Sequence, residues 1–584
     1  GEGICYVYED GSYCRTVIDG EEVNPSWGVT KAGKPRKRLA QACLTCREKK
    51  IKCEPGVPKC AQCTRARRVC RGGVNQQNDS NQDKSVEPEA GKKRPADVLT
   101  PRNAAPVSDM LHVALENNPL ETKRHLRGGY TLIDDPFEVD PQLSTHLLEL
   151  FFEHINSATY SMFPQKPFTA WATNRQKKSM DDKMLLYSVL SMASVFESDE
   201  QHRGTEEKFV EAALYGIQQR VGQWSLQLSQ SRLLMGLWCF ARGLPDNAFD
   251  HGGTALRALS ALNVNYEDGI KTPSEGEFGF DQPMLEECRR RTFWAGFLMD
   301  RYNGFCGGTL FTIQPEDIFL RLPCAMPSYD AGHPLTTPIY EGGVVEADLE
   351  HWDNIGYMGH LVMISAIWSD VWLGTVRSSR RSKGASPTAY EEFYTRTVHR
   401  LDEWLTRLPR PLAYSTTNLD TAIAGGYAGT FLSMHALYHT TMMRLNRHVR
   451  HATLARAHQI RNIDRARHHA TCLLTIMSAL ATRTSRFSFS TPFPGYAVMI
   501  ATDILSSGGA VAALPSLLAT VSAGLACIDQ IAKFWASARA QQKAVRKRLQ
   551  ALMQMAVGQG REVRRVGEGG RLWRGEKALD NVFG

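Results

Sequence analysis

The chain has 584 residues, 42% hydrophobic and 22% charged, near globular averages, so several domains and a sizeable core are expected. Its net charge of +8 is not spread evenly: Lys31 to Arg71 holds fourteen Lys/Arg against Glu48 and Glu54, a local +12, leaving the remainder at about −4. That excludes a uniformly basic protein and places a polyanion-binding footprint in one short block.

The opening residues, "GEGICYVYEDGS", show no basic region followed by an apolar run, so no signal peptide is expected. They also lack an initiator Met, the expectation for a processed product or an incomplete gene model. "CYVYEDGSYCRTVIDG" sets Asp10-Gly11 between two β-prone runs, which predicts a hairpin with Cys5 and Cys14 simply packed beside it. "GVTKAGKP" (Gly28 to Pro35) imitates a phosphate loop, but Pro35 stands where a Ser or Thr hydroxyl is needed and no apolar strand precedes it.

From Ala42 to Cys70 the chain crowds in six of its fourteen cysteines: Cys43, Cys46, Cys53, Cys60, Cys63 and Cys70. The spacing is C-x2-C-x6-C twice over, an internal duplication. A reducing compartment favours metal ligands over disulfides. One tetrahedral zinc uses four thiolates and strands two; two zinc ions need eight positions, which six sulfurs fill when two of them bridge. The segment has few large apolar residues beyond Leu39, Leu44, Ile51 and Val69. Domains below about 40 residues usually need a metal or disulfides, and structural zinc supplies about 10–16 kcal/mol in finger peptides.

These cysteines, the basic "CREKKIKC" stretch and the "VPKC" approach to the fourth thiolate resemble the fungal zinc binuclear cluster (Zn2Cys6) transcription factors. The resemblance implies two Zn2+ per chain, with Cys43 and Cys60 bridging, Cys46 and Cys53 completing one ion, and Cys63 and Cys70 the other. It also implies that Lys49 and Lys50 close a first short helix, where a lysine contacts the guanines of a CGG triplet. Arg47, Lys52, Lys59, Arg65, Arg67 and Arg68 then mostly neutralise phosphates of double-stranded DNA. The basic tracts with Lys34, Arg36, Lys37 and Arg38, and with Lys92, Lys93 and Arg94, read as nuclear import signals or extra phosphate contacts.

The fold expectation is mainly all-α, with boundaries as follows. Residues 1–39 are a hairpin-like segment and basic arm, 40–72 the Zn2Cys6 domain, and 73–139 a disordered linker poor in aromatics. Residues 140–555 form one large helical domain, and 556–584 a loose Gly- and Arg-rich tail. "STHLLELFFEHI", "DDKMLLYSVLSMASVF", "FVEAALYGIQQRVGQW" and "SRLLMGLWCFARG" repeat apolar residues at three- and four-residue spacing, and no comparable period-two strand run is evident. "EECRRRTFWAGFLMDRYNGFCGGTLFTIQPEDIFLRLPC" (Glu286 to Cys324), "SMFPQKPF" and "HALYHTTMMRLNRH" resemble the regulatory domain that follows the cluster in many of these factors, across roughly residues 145 to 530. That resemblance implies a helical module responsive to a small-molecule or protein effector.

Within that domain, Arg289 to Arg291 read as a helix-surface salt-bridge set, with Glu287 and Arg291 at i,i+4. His448, His451, His458, His468 and His469, interspersed with arginines, read as a polar helix face or loop rather than a metal site. No HExxH, GxSxG or nucleophile–base set is present, so no enzyme is expected. The uncharged stretch from Ile504 to Ile528 is long enough for a bilayer but is broken by Gly508-Gly509 and Pro515, and reads as buried core helices. Ile528, Ile531, Trp535, Ala538, Gln542, Val545, Leu549 and Leu552 form a heptad seam expected to pack into its own bundle, with protomer pairing as the other use. The functional expectation is a nuclear, sequence-specific DNA-binding transcription regulator acting as a homodimer on DNA. The alternative is a zinc-stabilised nuclear scaffold that binds DNA without sequence preference.

Overall fold

The computed structural model describes short backbone segments between residues 5 and 22, the helix at residues 61–65, and residues 134–557 with short interruptions. It divides into two compact units, residues 1–103 and residues 104–584.

In the first unit, β1 (Cys5–Val7) pairs antiparallel with β2 (Tyr13–Arg15), Tyr6 opposite Cys14, so Asp10-Gly11 lies in the connection between them. A second pair joins β3 (Val17–Ile18) to β4 (Glu21–Glu22), and α1 spans Ala61–Arg65.

The second unit opens with α2 (Pro136–Val139), inside the stretch assigned to the linker, and α3 (Pro141–Phe151), which runs into a π-turn at Phe152–Asn156. Both helices begin at a proline, whose missing N–H costs nothing there. The Asp135 and Asp140 carboxylates accept from the Phe137 and Leu143 amides. Asp135 also takes Lys178 Nζ at 2.8 Å in a buried pair. There follow α4 (Gln165–Thr173), α5 (Met180–Ala193), α6 (Thr205–Gln218), α7 (Leu226–Ala241), α8 (Pro245–Ala261), α9 (Glu267–Ile270) and α10 (Gln282–Asn303). Ser179 and Asp182 form a capping box on α5, and Ser225 caps α7 through the Leu228 amide. At the far end of α7, Gly243 adopts φ +76°, which lets the Leu244 amide return to Cys239 O at 2.8 Å. A Cβ at Gly243 would also meet the Ala536 Cβ at 3.2 Å.

A three-stranded antiparallel sheet then interrupts the helices: β5 (Phe319–Arg321) beside β6 (Ile339–Glu341), and β6 beside β7 (Val344–Val345), with α11 (Met326–Asp330) between β5 and β6. The mainly helical expectation holds, with this small sheet as an addition that the sequence pattern did not reveal. Strands of two or three residues are too short to show alternation, so "PEDIFLRLP" carries no period-two signal although Leu320 and Arg321 pair with Tyr340 and Ile339. The remaining helices are α12 (Tyr357–Arg380), α13 (Pro387–Arg407), α14 (Thr416–Ala424), α15 (Ala428–Arg447), α16 (Arg456–Ala481), α17 (Phe493–Ser506), α18 (Leu514–Phe534) and α19 (Arg539–Val557).

The helices hand contact along the chain: α5 on α7, α7 on α8, α8 on α10, α10 on α12, α12 on α15, α15 on α16, and α16 on both α17 and α18. One apolar core runs from Phe137 to Leu552, with Trp238, Trp294, Trp368 and Trp535 among its largest buried side chains.

The heptad seam is not one helix. The backbone leaves α18 at Trp535 (φ −114°, ψ 93°), makes a short 3-10 turn at Ala536–Ala538, and restarts as α19. Ile528, Ile531, Trp535, Ala538, Val545 and Leu552 are nonetheless buried within the chain's own core, as expected. The bend is the correction: regular spacing persists across it because α18 and α19 fold back onto each other. By length and composition α18 could cross a membrane, but Val521, Leu525, Ile528 and Ile531 face the bundle. Gly524 lies so near α17 that a Cβ there would sit 2.9 Å from Val498 Cγ1.

Candidate functional site

Of the six candidate zinc ligands, Cys63 lies among the described residues, on α1 and 2% exposed. Thr64 and Arg65 beside it face solvent. Five residues are far below the length at which a helix holds itself together, and "AQCTR" has no large apolar side chain to anchor it. An inward thiol with an outward arginine is the arrangement a thiolate-bound metal and an anionic partner would both require. Cys43, Cys46, Cys53, Cys60 and Cys70 lie outside the described residues, as do Arg47, Lys49, Lys50, Lys52, Lys59, Arg67 and Arg68. The two import tracts and the Gly28–Pro35 stretch lie outside them as well.

In the helical unit, the structure joins two of the stretches singled out from sequence. Arg291 on α10 donates through Nε to Glu287 Oε1 at 2.8 Å, through Nη1 to Ser161 O at 3.1 Å, and through Nη2 to Cys324 O at 2.5 Å. Its guanidinium also lies 4.6 Å from the Tyr329 ring centroid. "SMFPQKPF" and "EECRRR" therefore meet at one side chain. Glu287 accepts in addition from the Cys324 amide at 3.0 Å. Arg290 forms a fork with Glu267 at 2.8 Å on both oxygens, and Glu267 Oε1 accepts the Arg321 amide of β5 at 2.9 Å. Arg289 donates to the carbonyls of Ile270 and Thr272.

The expected helix-surface set is thus corrected: Arg289, Arg290 and Arg291 are 7%, 8% and 2% exposed. Spacing predicted the Glu287–Arg291 pair, but burial follows from acceptors contributed by residues up to 130 positions away. Burial alone would lower the guanidinium pKa values of Arg290 and Arg291; their carboxylate partners more than reverse this and push both upward. Arg290 hydrogen-bonds to Glu267 and sits near Glu286 and Glu287, and Arg291 faces Glu287. Further along α10, Asp300 accepts from the Thr312 and Ile313 amides at 3.0–3.1 Å and Arg301 donates to Ile313 O at 2.5 Å. This polar seam latches α10 to the sheet and its approaches. All its charges are engaged by protein groups, so it is a structural latch.

The thiols nearby are inert. Burial pushes Cys288 up to about 12 and Cys324 to about 11, far from a reactive thiolate. The histidine expectation is met in part. His458 faces Glu391 at 3.0 Å and His468 is exposed on α16. His469, however, is buried, with Nδ1 3.0 Å from His439 Nδ1 on α15, so it belongs to a helix–helix interface and not to a polar face. His448 and His451 lie outside the described residues. Sequence reading missed one group altogether: His146 meets Glu197, 51 residues further on, together with His202, and no local spacing links the first to the other two.

Residues 41–79 match the fungal Zn(2)-Cys(6) binuclear cluster domain, and residues 148–331 match the fungal specific transcription factor domain. The second match contains α10, its arginine latch and the "SMFPQKPF" entrance. The chain is 23% identical to the Zn(2)-C6 fungal-type transcription factor FTF2 of Fusarium oxysporum f. sp. lycopersici, over 88% of this chain and 54% of that protein. It is 24% identical to an uncharacterized transcriptional regulatory protein of Schizosaccharomyces pombe, over 57% of this chain and 36% of that protein. The chain spans about half the length of the curated relatives it matches. Both matched domains are those of transcription factors and not of enzymes. With a duplicated cysteine motif in a basic block, ahead of a helical unit latched at the arginines of α10, the chain carries matches to both domains of the fungal Zn2Cys6 transcription factors and is similar to them.

Proposed function

We propose that the chain is a zinc-dependent, sequence-specific regulator of RNA polymerase II transcription that works in the nucleus and reads CGG-type triplets in the DNA major groove. The observation that carries this is the duplicated C-x2-C-x6-C motif embedded in a local charge of +12, which also matches the binuclear cluster domain. Thiols alone would suit any zinc-held module; the charge selects a polyanion.

Cys43, Cys46, Cys53, Cys60, Cys63 and Cys70 would hold two zinc ions, with Cys43 and Cys60 shared. The metal supplies the core that the segment's side chains cannot. Lys49 and Lys50 donate to guanine O6 and N7. Arg47, Lys52, Lys59, Arg65, Arg67 and Arg68 neutralise phosphates and set the register of the module on the duplex. The tracts at Lys34 to Arg38 and Lys92 to Arg94 direct import. The helical unit receives a small-molecule or protein effector.

A single cluster reads about three base pairs, too short for selectivity against the excess of non-specific sites. Two clusters on paired half-sites would roughly double the discriminating free energy, so the working species is a homodimer on DNA. Because the seam from Ile528 to Leu552 is occupied inside the chain's own bundle, the protomer contact lies on another face of the helical unit.

Competition between CGG-containing and scrambled duplexes tests the reading. Preference for CGG duplexes at fixed salt supports it. Equal competition by both would leave a zinc-stabilised scaffold without sequence preference. Mass spectrometry of the full chain adds a second check, since substituting Cys43 and Cys60 with Ser removes two zinc ions from the total.

A further inference from the structure

We propose that His146, Glu197 and His202 form a binding site for a divalent transition-metal ion of the zinc class, carried by the helical unit and independent of the cysteine cluster. His146 projects from α3. Glu197 follows the short 3-10 turn Ser194–Phe196 that ends α5, and His202 lies in the link before α6. His146 Nε2 is 2.8 Å and His202 Nδ1 3.1 Å from the same atom, Glu197 Oε2. The three donor atoms lie within 4.8 Å of one another. Zinc bonds of about 2.0–2.2 Å at tetrahedral angles put neighbouring donors about 3.3 Å apart. The two imidazole–carboxylate distances would open by about 0.2–0.5 Å to reach that spacing, and the two imidazole nitrogens, within 4.8 Å of each other, would close by up to about 1.5 Å, a rotation of the half-exposed His146 ring.

The chemistry of the set points the same way. Two imidazoles and one carboxylate suit zinc and its first-row neighbours, whereas magnesium and calcium favour oxygen-rich sites. The second carboxylate oxygen, Glu197 Oε1, accepts the Asp199 amide at 2.7 Å. That is the outer hydrogen bond that commonly orients a metal-binding carboxylate. Three protein ligands leave coordination positions open. His146, with 45% of its side chain exposed against 10% for Glu197, gives an ion a route in from solvent.

Occupancy here would be felt beyond the three ligands. Glu197 directly follows Phe196, whose ring stacks on His154 at 4.7 Å and packs against Phe534 and Trp535 at 5.0 and 6.5 Å. Those two aromatics sit at the bend between α18 and α19. An ion joining α3 to the segment after Phe196 therefore stiffens the support of the C-terminal helix pair, and zinc becomes an input to the helical unit as well as a structural part of the cluster.

The test measures zinc in the full chain after equilibration in a zinc-buffered solution, comparing wild type with H146A and with H146N/H202N. The expected result is one zinc fewer per chain in H146N/H202N. In H146A the extra ion should bind more weakly by at least the roughly 10–100-fold that loss of an outer-shell partner alone costs. Because His146 is nearly half exposed, H146A leaves the helix packing in place. The readout is the difference between proteins, so a failure of the two-zinc cluster reading changes all totals equally and leaves that difference intact. Equal zinc content in wild type and H146N/H202N overturns the proposal, and the triad is then two imidazoles hydrogen-bonded to one carboxylate.

Discussion

Arg291→Met removes one guanidinium while keeping an unbranched, space-filling side chain. The wild-type group serves three acceptors, Glu287 Oε1, Ser161 O and Cys324 O, in a site where both Arg291 and Glu287 side chains are 2% exposed. Removing one partner of a buried ion pair typically costs about 3–5 kcal/mol, because the other charge stays buried. Here Glu287 keeps the Cys324 amide at 3.0 Å and has Arg290 Nη1 at 3.6 Å, which places the expected loss near the lower end, about 3 kcal/mol. Against a typical total of about 5–15 kcal/mol this is large. Urea unfolding of the full chain, followed by tryptophan fluorescence, reads it directly, since Trp294 sits three residues away in the same core. The decisive comparison is E287Q/R291M. Glutamine still accepts from the Cys324 amide but brings no charge, so the double variant recovers more than half of the loss. If the double variant is no more stable than R291M, the penalty is lost packing and carbonyl contacts, and the buried-charge argument fails.

In the DNA-binding module, Lys50→Ala lowers the preference for CGG-containing over random duplexes by about 1–3 kcal/mol, and an unchanged ratio in competition binding removes Lys50 from base reading. Arg67→Ala weakens all duplexes alike and flattens the salt dependence of binding by about one unit of slope. His360 and His435 are buried, and burial pushes both down to about 4 from 6.5. The unfolded chain therefore binds more protons between those values, so their contribution is complete above pH 6.5 and falls as pH drops toward 4, by about 3 kcal/mol each. Urea midpoints at pH 7.5 and 5 measure the slope, and H360F should reduce it. Sedimentation of the full chain with and without a two-half-site CGG duplex is expected to show a dimer on DNA; a monomer under both conditions leaves one cluster and its basic arm as the recognition unit.

The sequence by itself determined the features that are local in the chain. The duplicated C-x2-C-x6-C spacing and the basic residues interleaved with it are local patterns, readable without any fold, and residues 41–79 match the binuclear cluster domain. Helices were legible from three- and four-residue spacing, and the Glu287–Arg291 pair from its i,i+4 offset. Only the tertiary structure decided which helix faces are covered. Arg289 to Arg291 resemble any exposed basic turn until Ser161, Glu267 and Cys324 supply acceptors from other elements. The seam through Trp535 looks like one straight helix because its repeat survives a bend that folds α19 back on α18. His469 reads as part of a polar run, yet α15 covers it. His146 meets Glu197 and His202 only because α3 and α5 pack side by side. Periodicity records that a residue has an inward face; it does not record what stands opposite, and burial, pairing and metal geometry all depend on that opposing surface.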